Sequence, residues 1–531
     1  MCNLPHLNLN MMKYNIVFVG SGMACVTTLT ELCNSLLQAG PLLKKPVNIA
    51  VIEKQAQFWA GLPYGDRSSV NCLTITTYAE FLNDPVQFEE FNNWLIQDNH
   101  HWIKEYLELG GSIAAEWYSR NIKVINAGLI STIAIPRYLY GKFKRTQLQQ
   151  LVADAQKKGL LILDTITGEA VSVTKDNNSH HAIDIKKDDG RIETLLTHKL
   201  VFTTGNMPYR KIKIPENLPA SRFIQTAYEP GIPQTLAHLQ HLLADTENTD
   251  ERNLLLIGSN ASSIELLYLL GNQKELAALV KKIVVLSPGG KLPLAAVDTN
   301  ADRQFIYFDE LDRLTNCHPD VVFEAMMKEF GTHFKNDICT STVQKLLART
   351  RQLLSHLSDN EFSHFLMDKG PEFSKLIRRS IADYLETVTR LKQKGVLELL
   401  PGKLAGITTD AGKGGPLVLQ YQNGTDVVTY QHKFSAVIAC SGFETFDECT
   451  CPLINDVLKK GLCTINSAGI GIEVDSNFAA SANLYVTGPL VAGTVNEVLH
   501  YWHLENLSRL LQLAPYLSQS LLRDCCEQQV S

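Results

Sequence analysis

Apolar positions along the chain fall into two patterns. Short unbroken runs at Ile16 to Val19, Val47 to Ile52, Leu200 to Phe202, Leu254 to Ile257, Ile283 to Leu286, Phe434 to Cys440 and Leu484 to Val486 lack regular polar alternation. Such runs predict strands covered on both faces, as in a parallel sheet. The second pattern has helical spacing. Arg137 to Gln156 lines up Leu139, Phe143, Leu148, Leu151 and Val152, and Pro85 to Leu107 reads as a helix as well. Between Asp302 and Lys394 two further sets repeat the pattern: Val343, Leu346, Leu347, Leu353, Leu354 and Leu357, then Ile381, Tyr384, Leu385, Val388 and Leu391. A β-rich stretch from Leu160 to Ile192, turning at Lys175 to His180, and another from Leu397 to Tyr430, turning through Asp410 to Pro416, complete the outline. A C-terminal helix follows Glu497. Buried strands interspersed with helices predict an α/β architecture.

Two of the buried runs end in glycine. In the first, Gly20-Ser21-Gly22-Met23-Ala24, the two glycines permit a tight turn and let the backbone approach a pyrophosphate at the N-terminus of the following helix. Cys25 takes the third small position, and the next strand ends in Glu53 and Lys54, where an acid accepts hydrogen bonds from an adenosine ribose. The loop Gly40 to Pro46 accounts for the wide spacing between them. The second turn places Gly258, Asn260 and Ser263 in the three key positions. Asparagine tolerates a left-handed backbone, and Ser262 and Ser263 offer hydroxyls to phosphate. The strand after it ends in Ser287-Pro288-Gly289-Gly290-Lys291, without an acid. Hydroxyl and Lys291 suit a 2′-phosphate, so NADP is the expected nicotinamide, with NAD as the alternative. A degenerate unit that packs without binding a nicotinamide is the competing reading.

Composition agrees. A chain of 531 residues predicts two or three domains, and 45% hydrophobic with 8% aromatic residues can bury large cores. A net charge of −6, from 49 basic and 55 acidic residues, gives no reason to expect a nucleic-acid partner. No apolar run reaches the roughly eighteen residues of a membrane span. Met1 to Met12 lack a signal-peptide pattern, so a cytoplasmic location is expected. The twelve cysteines are scattered. Cys25, Cys33 and Cys440 lie in apolar patterns and read as buried thiols, and neither Cys449-Thr450-Cys451 nor Cys525-Cys526 is a Cys-x-x-Cys motif. His100-His101 and His180-His181 stand in polar surroundings and read as solvated loop residues, so no metal is expected.

Other segments take their place around the turns. Phe58-Trp59-Ala60-Gly61-Leu62-Pro63-Tyr64-Gly65 and the following Asn71 form either a wall for an isoalloxazine ring or ordinary aromatic packing. Thr204-Gly205-Asn206 closes a first unit, and Gly488-Pro489 returns to it, aiming backbone amides at a flavin. These junctions divide the chain into residues 1–230, a first part of an FAD-binding domain; 231–445, an NAD(P)-binding domain with a helical insert at about 302–395; and 446–531, a return to the FAD-binding domain. The insert reads as a substrate cover or as a structural or oligomer contact. Its Lys375, Arg378 and Arg379 read as a solvated face or an anion clamp.

The order Gly20-Ser21-Gly22, Gly61-Leu62-Pro63-Tyr64-Gly65, Pro136-Arg137-Tyr138-Leu139-Tyr140-Gly141, Thr204-Gly205-Asn206, Gly258-Ser259-Asn260 and Leu484-Tyr485-Val486-Thr487-Gly488-Pro489-Leu490 resembles the FAD-NAD(P)-binding family of two-dinucleotide-domain flavoproteins. That family is related to flavin-dependent monooxygenases, including the N-hydroxylases of amino-acid side-chain amines. Two departures stand out: Asn260 at the middle glycine, and Ser435 where those monooxygenases commonly carry Asp. The resemblance implies two Rossmann-like dinucleotide-binding domains (three-layer ββα/αβα type) with an inserted helical subdomain. It also implies FAD and NADP as cofactors, and an oxidoreductase in which NADPH reduces the flavin and a flavin hydroperoxide hydroxylates a small polar metabolite. The cofactor-binding residues would be Gly20, Ser21, Gly22, Met23, Ala24, Glu53, Lys54, Tyr64, Asn71, Gly205, Gly488 and Pro489 for FAD, and Gly258, Asn260, Ser262, Ser263 and Lys291 for NADP. Asn206 and Glu497 are further polar candidates near the flavin, Glu497 being equally a helix-start carboxylate. No catalytic side chain is assigned. Two other readings stay open: an FAD-dependent reductase or dehydrogenase with an acceptor other than oxygen, and a flavin-bound sensor or partner protein without turnover. The oligomeric state is not legible.

Overall fold

A computed structural model describes residues 13–527 apart from 41–44, 83, 177–179, 217, 298–303, 312, 315, 335–336, 377, 410–414 and 501–505. The glycine-rich part of the hairpin at Asp410 to Pro416, and the side chains of Lys375, Cys525 and Cys526, lie outside the described residues. The architecture is α/β, with two separate parallel sheets. In the first the order is Ala479–Ser481, Leu484–Val486, Ile192–Phe202, Lys13–Val19, Val47–Glu53, Leu161–Thr167, all parallel except the outermost strand Ala479–Ser481. Strand Ile192–Phe202 also continues an antiparallel ladder through His181–Lys186 to Glu169–Lys175. The second sheet runs Leu397–Pro401, Lys282–Ser287, Asn253–Ile257, Ala436–Ala439, Phe223–Ile224, parallel throughout, and an antiparallel meander of Lys403–Thr409, Leu417–Asn423 and Asp426–Phe434 accompanies it. The strands match the predicted buried runs because Ile16, Phe18, Ile49, Val51, Leu254 and Leu256 are all fully covered on a sheet with helices against it.

The chain crosses between the sheets twice, and the crossings hold each other. Tyr209 pairs with Phe443, Arg210 N donates to Gly442 O at 3.0 Å, and Glu444 N donates to Pro208 O at 2.8 Å. The Tyr209 ring lies 4.8 Å from Phe443 and stacks on Tyr228 at 5.7 Å. Between strands Lys282–Ser287 and Leu397–Pro401 stands the insert, with a small parallel sheet (Asp337–Cys339, Leu294–Val297, Arg379–Ser380) and a core of its own around Val322, Met326, Phe330 and Leu346. The two periodic sets read from the sequence therefore separate. Val343, Leu346 and Leu354 belong to the insert's core, whereas Ile381, which caps the helix Ala382–Gln393, and Tyr384, Val388 and Leu391 within it pack into the main core as that helix returns the chain to the second sheet.

Two readings need correction. The helix predicted at Pro85 to Leu107 is two helices, Pro85–Gln97 and Asn99–Asn126. The second runs past Leu107 because Trp102, Tyr106, Ile113, Ala114 and Trp117 keep one buried face through the Gly110-Gly111 pair, where Gly111 kinks the backbone at φ 57°. The histidine pairs also differ from expectation. His100 and His101 are exposed but sit on this helix, and His181 is a fully buried strand residue whose Nε2 lies 3.3 Å from Ala482 O. His181 alternates inward where the short polar run suggested a loop. Burial pulls its pKa down from 6.5 to about 4. With the folded value depressed, its stabilising contribution is complete above the unfolded value near 6.5 and is lost as pH falls toward 4. We expect unfolding free energy to drop by roughly 2 kcal/mol from this group alone between pH 7 and pH 5. Urea unfolding at both values should show that part of the slope vanish in His181→Leu; an unchanged slope contradicts it.

Candidate functional site

Both glycine turns lie at the carboxyl ends of their sheets, beside the point where strand order reverses, the place at which open α/β sheets form a binding crevice. In the first, Gly20 N donates to Ile52 O at 2.8 Å, Gly20 has φ +95°, and a Cβ there would stand 2.6 Å from Thr203 O. Thr203 Oγ1 donates to Gly20 O at 2.6 Å, closing the turn against the end of strand Ile192–Phe202. Gly22 caps the helix Met23–Ala39 without a side-chain cap and without an acidic residue in the first turn. The amides at this end, Met23 and Ala24 among them, have no intrahelical partner and make a ready anion site. A Cβ on Gly61 would come 2.9 Å from Gly22 Cα, so two bare backbones meet here. Gly488, at φ +79°, brings the return segment to Ala24, and Thr487 N donates to Phe202 O at 3.0 Å.

Ser21 is fully buried, and both its N and its Oγ donate to one oxygen of Glu53 at 2.9 Å, while Gln55 N donates to the other at 3.0 Å. Lys54 and Asn206 are exposed, Gly205 and Pro489 partly so. Trp59 donates its N to Ser21 Oγ at 3.3 Å from a left-handed backbone, φ 68°. Tyr64 is wedged under the helix Tyr138–Lys157, where a Cβ on Gly141 would sit 2.6 Å from its own Cβ. Asn71 is buried, with Nδ2 donating to Gly110 O at 3.0 Å and Oδ1 unpartnered among the described residues. Glu497 is exposed in a bend ahead of the helix Leu507–Glu527, so the helix-start reading of it does not hold.

The second turn repeats the geometry. Gly258 N donates to Leu286 O at 2.8 Å, Gly258 has φ +108°, and a Cβ would fall 2.2 Å from Cys440 O. Asn260 caps the helix Ala261–Asn272 in extended backbone (φ −88°, ψ −166°), as Gly22 does in the first turn (φ −73°, ψ −172°). The left-handed tolerance of asparagine is therefore not what the position uses. Its side chain matters instead: Arg378 Nη1 of the insert donates to Asn260 Oδ1. Ser263 is fully buried with its hydroxyl turned back to the Gly258 carbonyl, leaving Ser262 as the partly exposed hydroxyl of the pair. Lys291 is exposed. Ser435 is structural, donating its hydroxyl to Glu251 O at 2.8 Å.

A buried ion pair that the sequence did not announce links Arg137 of the first unit to Glu265 of the second. Arg137 Nη1 and Nη2 donate to both oxygens of Glu265 at 2.6 and 2.9 Å; Tyr228 OH donates to Glu265 at 2.8 Å, and Arg137 Nη2 to Ser68 Oγ at 2.5 Å. The side chains are 13% and 5% exposed, a nearly dry salt bridge. The Glu265 carboxylate beside it holds the guanidinium firmly protonated against the cost of burial. The signal was a lone carboxylate in the apolar run Ile264 to Leu270. Cys72 lies beside the pair, where burial pushes its thiol up, and burial pushes that of Cys440 up to about 12. Among the described residues no disulfide joins any of the nine cysteines. Among the described residues no group of His, Cys, Asp or Glu could hold a metal, and no helix is long and apolar enough to cross a membrane.

Two turns on two parallel sheets with an inserted helical subdomain define an α/β fold with two Rossmann-like dinucleotide-binding domains. Residues 17–207 match the FAD-NAD(P)-binding family. Uncharacterised proteins of Mycobacterium tuberculosis and Mycobacterium bovis are 29% identical over 510 residues, covering 96% of this chain and 95% of theirs. The fold is shared with flavin-dependent N-hydroxylating monooxygenases. The ornithine N-hydroxylase of Kutzneria sp. 744, solved with reduced FAD, NADP+ and L-ornithine, aligns with a TM-score of 0.54 at 12% identity, over 97% of this chain and 100% of that one. For the L-lysine 6-monooxygenase of Pseudomonas syringae the TM-score is 0.55 at 12% identity, over 98% and 100%.

Proposed function

We propose that the chain is an FAD-dependent, NAD(P)H-using oxidoreductase, and specifically a monooxygenase that hydroxylates a small polar metabolite. The observation that carries it is the pair of equivalent turns, Gly20 to Gly22 and Gly258 to Asn260, one at the end of each parallel sheet. FAD, when bound, supplies hydride acceptance and the activation of dioxygen; the protein supplies position and exclusion of water. In the first unit the amides at Gly22 to Ala24 would hold the pyrophosphate and Glu53 would meet the ribose. Gly488 and Pro489 would bring backbone to the flavin, and Tyr64 and Asn71 would be side chains of the first unit beside it. In the second, Gly258, Ser262 and Lys291 serve NADP. The likeness to the ornithine and lysine hydroxylases supports an amine-bearing substrate.

The test is an anaerobic titration of purified protein with NADPH and NADH, followed at the flavin absorption band, and then admission of oxygen with candidate amines. Bleaching by NADPH in preference to NADH, with oxygen uptake matched by a hydroxylated product, is the expected result. Reduced flavin that persists in air and discharges to a quinone or dye would make the protein a dehydrogenase. Protein that purifies without flavin would end the reading.

A further inference from the structure

The insert carries two adjacent arginines that part company. Arg379 turns toward Glu80 of the first unit, 3.8 Å away, and is largely buried. Arg378 stays exposed and reaches the second dinucleotide turn, where it donates to Asn260 Oδ1. A guanidinium is thus held at the amide end of the helix Ala261–Asn272, whose first turn has no acidic residue. Guanidinium and helix amides thus face one place, and both are groups that favour an anion.

A second observation points to the same ligand. The paired bonds Gly20 N to Ile52 O and Gly258 N to Leu286 O make Ser287 the structural counterpart of Glu53. In the first unit the side chain at this place reaches the turn, since Glu53 accepts from Ser21 N and Oγ. Ser287 is 5% exposed, and its hydroxyl has no hydrogen-bond partner among the described residues. A buried hydroxyl left unpaired costs free energy that a ligand oxygen would recover.

We propose that Arg378 is a phosphate clamp, a cation delivered by the insert to the second turn to take the pyrophosphate of a nicotinamide dinucleotide. The helix amides hold the other side of the pyrophosphate, and Ser287 lies at the adjoining ribose. Asn260 then has a purpose where the common pattern has glycine: it parks the guanidinium over the turn before the nucleotide arrives. The assignment rests on reading the second unit as a nicotinamide site, and it makes the insert a participant in nucleotide binding.

Titration calorimetry of the flavin-loaded protein with NADP+, ADP and 2′-AMP tests it. In Arg378→Ala the Kd for NADP+ and for ADP should rise about 10- to 100-fold, the loss of one charged hydrogen-bonding partner. Binding of 2′-AMP, which has a 2′-phosphate and no pyrophosphate, should change less than about twofold, and Arg378→Lys should fall between. An unchanged melting temperature serves as the fold control, as expected for an exposed side chain. Unaltered NADP+ affinity in Arg378→Ala overturns the clamp while leaving the nicotinamide site standing. Equal losses for ADP and 2′-AMP overturn it too. If the unsubstituted protein binds none of the three, the nicotinamide reading falls, and the clamp with it.

Discussion

Gly20→Ala is expected to yield a folded protein without bound flavin. The substitution meets two penalties at once. A left-handed backbone costs an alanine about 1–2 kcal/mol, and its Cβ would overlap the Thr203 carbonyl at 2.6 Å, an atom fixed in the backbone of the first sheet. The turn can relieve the overlap only by moving away from Thr203, and that movement would displace Gly22 and the helix amides from the pyrophosphate that the proposed function places there. Gly159→Ala provides the contrast. Gly159 has φ +70° but open space where a Cβ would go, so it should show the strain alone, a slightly lower melting temperature with full flavin content. The measurement is flavin absorbance per mole of protein beside thermal unfolding. Stoichiometric flavin in Gly20→Ala would remove this turn from the FAD site.

Breaking the Arg137–Glu265 pair should have the largest effect on stability. Arg137→Met leaves a carboxylate stranded in a site 5% exposed, with Tyr228 and the Cys72 thiol beside it but no charge to match it, and removal of one member of a buried pair costs about 3–5 kcal/mol. The double variant Arg137→Met with Glu265→Leu should recover much of that loss, because it takes both charges out of the interior. It should not recover function. Arg137 opens the helix Tyr138–Lys157, whose Gly141 presses on Tyr64, and Glu265 stands in the helix behind the second turn. A stable double variant with slow flavin reduction by NADPH would identify the pair as positioning residues. Reduction at the unsubstituted rate would confine it to stability.

Much of this arrangement was legible because it is written locally. A buried run followed by a glycine needs only neighbouring residues to be recognised, and Gly20 and Gly258 both adopt the positive φ that makes glycine necessary. What escaped was written across the chain. Arg137 and Glu265 are 128 positions apart, and neither has a local pattern that announces the other. Periodicity shows that Ile381 to Leu391 has an apolar face without saying which core that face enters, so this helix read as part of the insert. Asn260 was weighed by its backbone tolerance, whereas the structure uses its side chain, whose partner lies 118 residues away. His181 looked polar by company and is interior by alternation.

The first sheet is assembled from distant parts of the chain. Strand Leu484–Val486 pairs with Ile192–Phe202, and Leu507–Glu527 packs on Met23–Ala39, where the fully buried Lys199 donates to the Ser520 and Leu521 carbonyls at 3.1 and 2.9 Å. During synthesis the first glycine turn emerges early, yet the sheet edge and helix that cover it emerge hundreds of residues later. The second sheet, by contrast, closes with Ala436–Ala439 before those parts are made. The second sheet can therefore complete its strands first, leaving the first sheet as the last to close, so that a ligand held at the first glycine turn is captured at the end of the chain's folding rather than its beginning.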